Sequence, residues 1–210
     1  MITILIADDH AVVRRGMREI VSDTGDITVT GEASTGQEAL AKISKNTYDV
    51  VVLDIAMPDI NGIDVLKEVK RENPGLPVLM LSIYPEEQYA VRALKAGASG
   101  YLTKKSAPEE LVGAVRKAYR GGKYVGSTLG EKLVSYLEAE EERPPHETLS
   151  DREYQVMIML AEGKRLTDIA KELFISEKTV SSYRSRVLEK MRMKNNTELI
   201  RYALKNSLIF

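Results

Sequence analysis

A doubly wound α/β domain followed by a small all-helical domain is the fold class that the sequence predicts. Residues 1–120 read as a five-stranded parallel sheet in the order 2-1-3-4-5, covered by helices. Residues 148–210 read as the all-α domain, and residues 121–147 as the linker between them. Three observations predict this. Five short apolar runs alternate with five stretches of helical periodicity over the first 120 residues, the pattern of parallel strands with crossover helices. The run Val50-Val51-Val52-Leu53 is apolar at every residue, as a strand buried on both faces requires, and it ends abruptly in Asp54, after which Met57-Pro58 and Asn61-Gly62 mark a turn. Beyond an acidic stretch ending in Pro144-Pro145, no strand pattern recurs and the periodicity is helical.

In chain order, the strands fall at Ile2–Ala7, Ile27–Ala33, Val50–Asp54, Val78–Ser82 and Gly100–Thr103. Between them the helical patterns are Val12–Ser22, Gly36–Lys45, Gly62–Glu72, Pro85–Ala96 and Pro108–Arg120. Pro85 and Pro108 suit the first turn of a helix, where a missing N–H costs nothing. Gly97 is placed as a helix stop after Ala96. Gly121-Gly122 ends the fifth helix. In the linker, Glu131–Leu137 has the stripe of a short helix through Leu133, Val134 and Leu137. The run Glu138 to His146 then has little to bury.

Open α/β sheets place ligands at the carboxyl ends of their strands, at the point where strand order reverses. The order 2-1-3-4-5 makes strands 1 and 3 neighbours there. Asp8 and Asp9 follow strand 1, and Asp54 ends strand 3, so three carboxylates converge on one edge. Ser82 at the end of strand 4 and Lys104 after strand 5 join them. Each group alone has a plain structural explanation: Asp8-Asp9 as a helix cap, Asp54 as a solvated strand end, Lys104-Lys105 as a surface pair. Their joint placement favours a functional site. Three carboxylates repel unless a cation is present, and a hard divalent ion such as Mg2+ takes carboxylates, waters and phosphate oxygens. An Asp carboxylate is a competent nucleophile for phosphoryl transfer, Lys104 offers a point charge to phosphoryl oxygens, and Ser82 a hydrogen bond. Asp54 is therefore the expected phosphoryl acceptor. Tyr84 either covers this edge or packs at the start of the next helix. His10, beside the acidic pair, is assigned to the helix start rather than to a metal, and His146 to solvent.

The segments Ile6-Ala7-Asp8-Asp9-His10, Val52 through Gly62, Leu79-Met80-Leu81-Ser82 and Ala96 through Lys104 resemble the receiver domain of bacterial two-component response regulators, with its flavodoxin-like fold. The resemblance covers roughly residues 1–120. It implies that Asp54 is phosphorylated by a partner sensor histidine kinase. It implies that Asp9, Asp54 and the backbone carbonyl of Ala56 ligate Mg2+, with Asp8 acting through water. It also implies a switch pair in which Ser82 moves to the phosphoryl group and Tyr101 turns inward behind it. Two departures stand out. Lys105 occupies the position where many receivers have proline, which leaves the geometry of the Lys104–Lys105 bond open. Ala56 is apolar where many relatives are polar, which bears on phosphoryl lifetime without fixing its direction.

The carboxyl-terminal domain differs in charge. Residues 148–210 hold 12 Lys and Arg against 8 Asp and Glu, whereas residues 1–120 hold 15 against 17. A basic small domain on an otherwise acidic chain suggests a polyanion partner. Ser150 and Glu153 form a capping-box pair, and Gly163 closes that helix. A short helix over Leu166–Phe174, a tight turn, and a longer helix from Glu177 to about Arg192 make a helix-turn-helix, whose second helix enters the major groove of double-stranded DNA. A last helix spans Thr197–Asn206. At 3.6 residues per turn, Val180, Val187 and Met191 face inward. Lys178, Ser182 and Ser185 lie opposite, with Ser181 at the edge, and face DNA. Lys178, Arg184, Arg186 and Lys194 are candidates for phosphate contact; the angle of Arg184 lies nearer the buried side, from which its long stem can snorkel. Leu149 through Glu153, Asp168 through Leu173, Ile175 through Val180 and Asn196 through Leu199 resemble the LuxR-type helix-turn-helix. With a receiver, this places the chain in the NarL/FixJ class of response regulators. That resemblance implies activation by homodimerisation and the reading of two half-sites. Ser181-Ser182-Tyr183 stands where many relatives have Lys-x-His, so the bound sequence cannot be borrowed.

The composition of 43% hydrophobic and 29% charged residues, with no run long enough to span a bilayer, gives no reason to expect a membrane partner. No cysteine is present, which excludes disulfides and thiolate metal sites. With no signal-peptide pattern at the start, a cytoplasmic location is expected. The reading is a phosphorylation-dependent transcriptional regulator, not an enzyme: the chain accepts a phosphoryl group on itself. A phosphotransferase would need a general acid or base and a substrate pocket, which the sequence does not show. An adaptor whose last module binds protein is the other alternative.

Overall fold

The computed structural model describes residues 1–84, 86–125 and 144–209, and the side chains of 86–88 lie outside it. Pro85 and the expected helix at Glu131–Leu137 lie outside the described residues. The chain divides into two compact units, residues 1–136 and 137–210.

In the first unit, β1 (Ile2–Ala7), β2 (Ile27–Ala33), β3 (Val50–Asp54), β4 (Val78–Ser82) and β5 (Gly100–Thr103) form one sheet in the order β2-β1-β3-β4-β5. All four pairings are parallel, and β1 shifts register against β2 between Ile4 and Leu5. Every residue of β3 and β4 is buried, whereas β2 is only partly so. That is the expected difference between central and edge strands: β2 reads Ile-Thr-Val-Thr-Gly-Glu-Ala and needs only one apolar face. The crossover helices are α1 (Ala11–Ser22), α2 (Gly36–Lys45), α3 (Gly62–Glu72), α4 (Glu86–Lys95) and α5 (Ala107–Tyr119). One core joins Ile4, Ile6, Val50, Val52, Leu79 and Leu81 of the sheet to Met17 and Val21 of α1 and to Leu111 and Val115 of α5. Full burial of each such side chain is worth about 1.5–3 kcal/mol, so the central strands carry much of the unit's stability.

Helix starts follow local chemistry. Thr35 caps α2 by accepting from the Glu38 N–H, and Asn61 caps α3 by accepting from Ile63 N–H. Asp59 reaches across from the loop after β3 and accepts from both Gly36 and Gln37 N–H groups at 2.8 Å. It thereby holds the α2 start against the edge that carries Asp54, and these bonds keep its carboxyl below the usual range although burial works against its charge. Gly97 and Gly121 take left-handed backbone, with φ of 101° and 81°, after α4 and α5.

Described residues at both ends of the expected linker, 121–147, bond to the unit beside them. Tyr124 forms a parallel bridge with Gly100, and its N–H donates to Ser99 O at 2.7 Å. A Cβ on Gly100 would sit 2.6 Å from Tyr124 O, so the glycine is what lets this segment lie against β5. At the far end, Pro145–Thr148 forms a 3-10 turn of the second unit. His146 is not left to solvent: its Nδ1 lies 2.7 Å from the Tyr202 hydroxyl, and its ring lies against Tyr154 and Tyr202.

The second unit contains α6 (Asp151–Ala161), α7 (Leu166–Glu172), α8 (Glu177–Lys190) and α9 (Asn196–Lys205). The helix α6 packs on α8 and α9, with Tyr154, Met157, Ile158, Val180, Val187, Leu199 and Ala203 buried. The Ser150–Glu153 capping box forms as expected. Glu153, nearly fully buried, also takes Lys190 Nζ at 2.6 Å, which ties the first turn of α6 to the last turn of α8. Leu166–Phe174 ends earlier than expected, because Phe174 adopts φ of 53° and terminates α7. No described helix is long and apolar enough to cross a membrane.

Candidate functional site

The carboxyl edge of the sheet gathers the groups that the strand order predicts. Asp54 ends β3, Ser82 ends β4, Asp8 and Asp9 follow β1, and Lys104 follows β5. Asp8, Asp54 and Ser82 are fully buried. Lys104 Nζ bridges two of the carboxylates, 2.7 Å from Asp8 Oδ2 and 2.8 Å from Asp54 Oδ2. Asp54 Oδ1 accepts from the Ala56 N–H at 3.3 Å. Asp8-Asp9 does not cap α1: its N-cap is His10, and Asp8 Oδ1 accepts the His10 N–H at 2.8 Å. Ligand atoms of Asp8, Asp9, His10 and Asp54 all lie within 4.8 Å of one another.

Electrostatics at Asp54 are contested. Burial, then the Asp8 carboxylate, pushes the Asp54 carboxyl up to about 6, against the opposing charge and hydrogen bond of Lys104. Lys104 itself shifts upward: burial disfavours its charge, but Asp54 and Asp8 more than offset that.

The loops around the edge are held by contacts that the sequence did not reveal. A Cβ on Gly62 would come 2.0 Å from Asp54 O, so only glycine lets α3 begin directly behind β3. The signal in the sequence was Asn61-Gly62, which reads simply as a turn. Arg14 Nη1 donates to Asp8 O at 2.7 Å while its Nε meets Glu32 of β2 at 3.2 Å, bracing the loop after β1. Ser82 Oγ accepts from the Tyr84 N–H at 3.1 Å, and the fully buried Tyr101 donates its hydroxyl to Tyr84 O at 2.9 Å. Tyr84 is buried against Tyr89, with ring centroids 5.1 Å apart, which answers its open placement in favour of packing. The described peptide bonds include no cis bond, so Lys104–Lys105 is trans.

In the second unit, α8 sorts as its periodicity requires. Val180 and Val187 are buried, with Met191 just beyond, while Lys178, Ser181, Ser182, Ser185 and Arg186 are exposed. Ser182 and Ser185 donate their hydroxyls to Lys178 O and Ser181 O within the helix, leaving their lone pairs outward. Lys178, Thr179, Ser182, Tyr183 and Arg186 line one shallow groove; Thr179 and Tyr183 were not among the expected contacts. Arg184 departs from a simple phosphate contact: it is half-buried and its Nε donates to Asn196 Oδ1 at 2.7 Å, joining α8 to the start of α9. Lys194 is exposed before α9, and its backbone N–H donates to Glu198.

Comparison with known proteins agrees with both halves. The family model described as the response regulator receiver domain matches residues 4–116, and that of the bacterial regulatory proteins of the luxR family matches residues 147–203. The chain is 37% identical to the response regulator UvrY of Escherichia coli K12 over 99% of this chain and 96% of that one. It is 36% identical to the oxygen regulatory protein NreC of Staphylococcus epidermidis over 98% of each. Among solved structures, the RcsB response regulator of Salmonella typhimurium aligns with a TM-score of 0.69 at 26% identity, covering 100% of this chain and 98% of that one. RcsB from Salmonella enterica serovar Typhimurium, bound to promoter rprA in the presence of the phosphomimetic BeF3-, gives 0.66 at 27% identity and covers 100% of both chains. The buried carboxylate edge, the basic helix-turn-helix and these matches together mean that the chain belongs to the response regulators of the NarL/FixJ class, a receiver domain followed by a LuxR-type regulatory domain.

Proposed function

We propose that the chain is a cytoplasmic transcriptional regulator whose DNA binding is switched by phosphorylation of Asp54. The observation that carries this reading is the convergence of Asp8, Asp9 and Asp54 with Lys104 Nζ seated between two of them. An Asp54 oxygen attacks phosphorus, forming the acyl-phosphate bond, while the bond to the donor nitrogen of a sensor kinase's phosphohistidine breaks. Lys104 then turns from its carboxylate partners to the added phosphoryl oxygens, and Ser82 exchanges its bond with the Tyr84 N–H for one to them. Tyr101, already bonded to Tyr84 O, stabilises the moved loop from behind. The donor set suits Mg2+: Asp9 and Asp54 with the Ala56 carbonyl as direct ligands, and Asp8 through water. When bound, such an ion supplies charge neutralisation for the incoming phosphoryl group. Loss of the phosphoryl group is self-directed, with no separate substrate turned over.

In the effector half, Ser181, Ser182 and Ser185 face base edges. Lys178, Arg186, Lys194 and the outer nitrogens of Arg184 meet phosphates. Paired copies read two half-sites, as the two-fold logic of helix-turn-helix dimers requires. The likeness to RcsB, solved on promoter DNA, supports the same use of α8 here. The full chain with acetyl phosphate and Mg2+ should gain the mass of one phosphoryl group, and Asp54→Asn should gain none. Equal labelling of both would overturn Asp54 as acceptor.

A further inference from the structure

His10 stands at the mouth of the acidic edge with 63% of its side chain exposed, yet its ring turns inward. Nδ1 lies 2.6 Å from Asp9 Oδ1 and 3.3 Å from Asp8 Oδ1. The His10 N–H is bonded to Asp8 Oδ1 at 2.8 Å, and the ring makes no capping bond to α1. Two nitrogen-bearing side chains thus divide the carboxylate oxygens. Lys104 takes the Oδ2 atoms of Asp8 and Asp54, and His10 faces the Oδ1 atoms of Asp8 and Asp9. An ammonium has no lone pair for a metal; a neutral imidazole has one.

We propose that His10 is a direct ligand for borderline transition ions such as Ni2+, Co2+ and Zn2+ at this edge, so that it sets which divalent metal the receiver prefers. The inference rests on the acidic edge being the cation site described above. A hard ion such as Mg2+ takes oxygen ligands and keeps water where an imidazole would stand. Borderline ions bind imidazole nitrogen well and gain from exchanging a water for it. Asp9, Asp54 and His10, whose ligand atoms lie within 4.8 Å of one another, would offer such an ion two oxygens and a nitrogen. His10 therefore adds affinity for the transition ions and next to none for Mg2+.

The chain is well suited to the test, because it has no cysteine and only two histidines, His10 and His146. Tag-free full-length protein is titrated calorimetrically with Ni2+ and, separately, with Mg2+. His10→Ala should weaken Ni2+ by about tenfold or more while leaving Mg2+ within about twofold, and His146→Ala should change neither. In 15N spectra, Zn2+ should shift the Nδ1 resonance of His10 and not that of His146. Unchanged Ni2+ affinity in His10→Ala overturns the proposal. So does an equal loss for both ions, which would make His10 a group that orients Asp9. If wild type binds neither ion, the cation-site reading itself fails, and this inference with it.

Discussion

At Asp54, burial and then the Asp8 carboxylate oppose ionisation, while Lys104 and the Ala56 N–H favour it. With its folded-state value raised to about 6, the carboxyl holds a proton that the unfolded chain has already released at the same pH. Stability should therefore fall as pH rises from about 4 to about 6. Without divalent ions at pH 7, Asp54→Asn should be more stable than wild type by on the order of 2 kcal/mol, read as a higher urea midpoint; a lower midpoint would contradict it. The same proton competes with a metal. Mg2+ affinity, measured by calorimetry, should be full above about pH 6 and fall by roughly tenfold per pH unit below it. Gly62 is the second residue whose environment decides its role. A Cβ there has no space beside Asp54 O, so Gly62→Ala should cost about 1–3 kcal/mol and disturb phosphorylation although no polar group is lost. Asp54 was legible from the sequence because a buried strand ended on a charge. Gly62 was legible only as a turn, since its constraint comes from a backbone atom eight residues away that folding brings beside it.

Helix ends in the carboxyl-terminal unit repeat one device. The helices α6, α7, α8 and α9 each end with a left-handed residue whose N–H, with that of the next residue, returns to the last turn. Only α6 uses glycine there, Gly163; the others use Phe174, Arg192 and Ser207, with φ of 53°, 55° and 53°. Ser207→Gly should raise stability by about 1 kcal/mol, checked by thermal melts. Phe174, 69% exposed, brings its own strain with little burial in return. These stops could not be read from composition, because the usual glycine signal is missing; hence the expected second helix ran through Phe174. The buried Glu153 is the opposite case, legible as a capping box but not as the partner of Lys190. Burial disfavours its charge, yet Lys190 and Ser150 hold its carboxyl below the usual range. Its contribution is therefore present at pH above about 4 and lost as pH falls further. Glu153→Gln should destabilise the chain by about 1–3 kcal/mol at pH 7, with the gap to wild type closing in acid.

For the whole molecule, strand order and domain sequence were legible because the strands' apolar runs are unbroken and their ends charged. The extent of each domain was not. Tyr124 joins β5 through a close approach at Gly100, and His146 joins the helical unit through Tyr154 and Tyr202. Neither contact has a local signature in a stretch that is otherwise acidic and rich in glycine and proline. Arg184 shows the same gap on α8: its angle on the helix was readable, but its bond to Asn196 was not. Binding through Lys178, Arg186 and Lys194 should weaken steeply with salt, and Lys178→Ala should reduce that salt slope by about 1. The account's central claim is that phosphorylation of Asp54 controls DNA binding by Glu177–Lys190. It is tested most directly by selecting duplexes from a random pool with acetyl-phosphate-treated chain, then measuring their binding to wild type and Asp54→Asn before and after treatment. The account predicts that treatment tightens wild-type binding by about tenfold or more and leaves Asp54→Asn unchanged. Equal tightening of both chains, or none in wild type that has demonstrably gained the phosphoryl group, would contradict it.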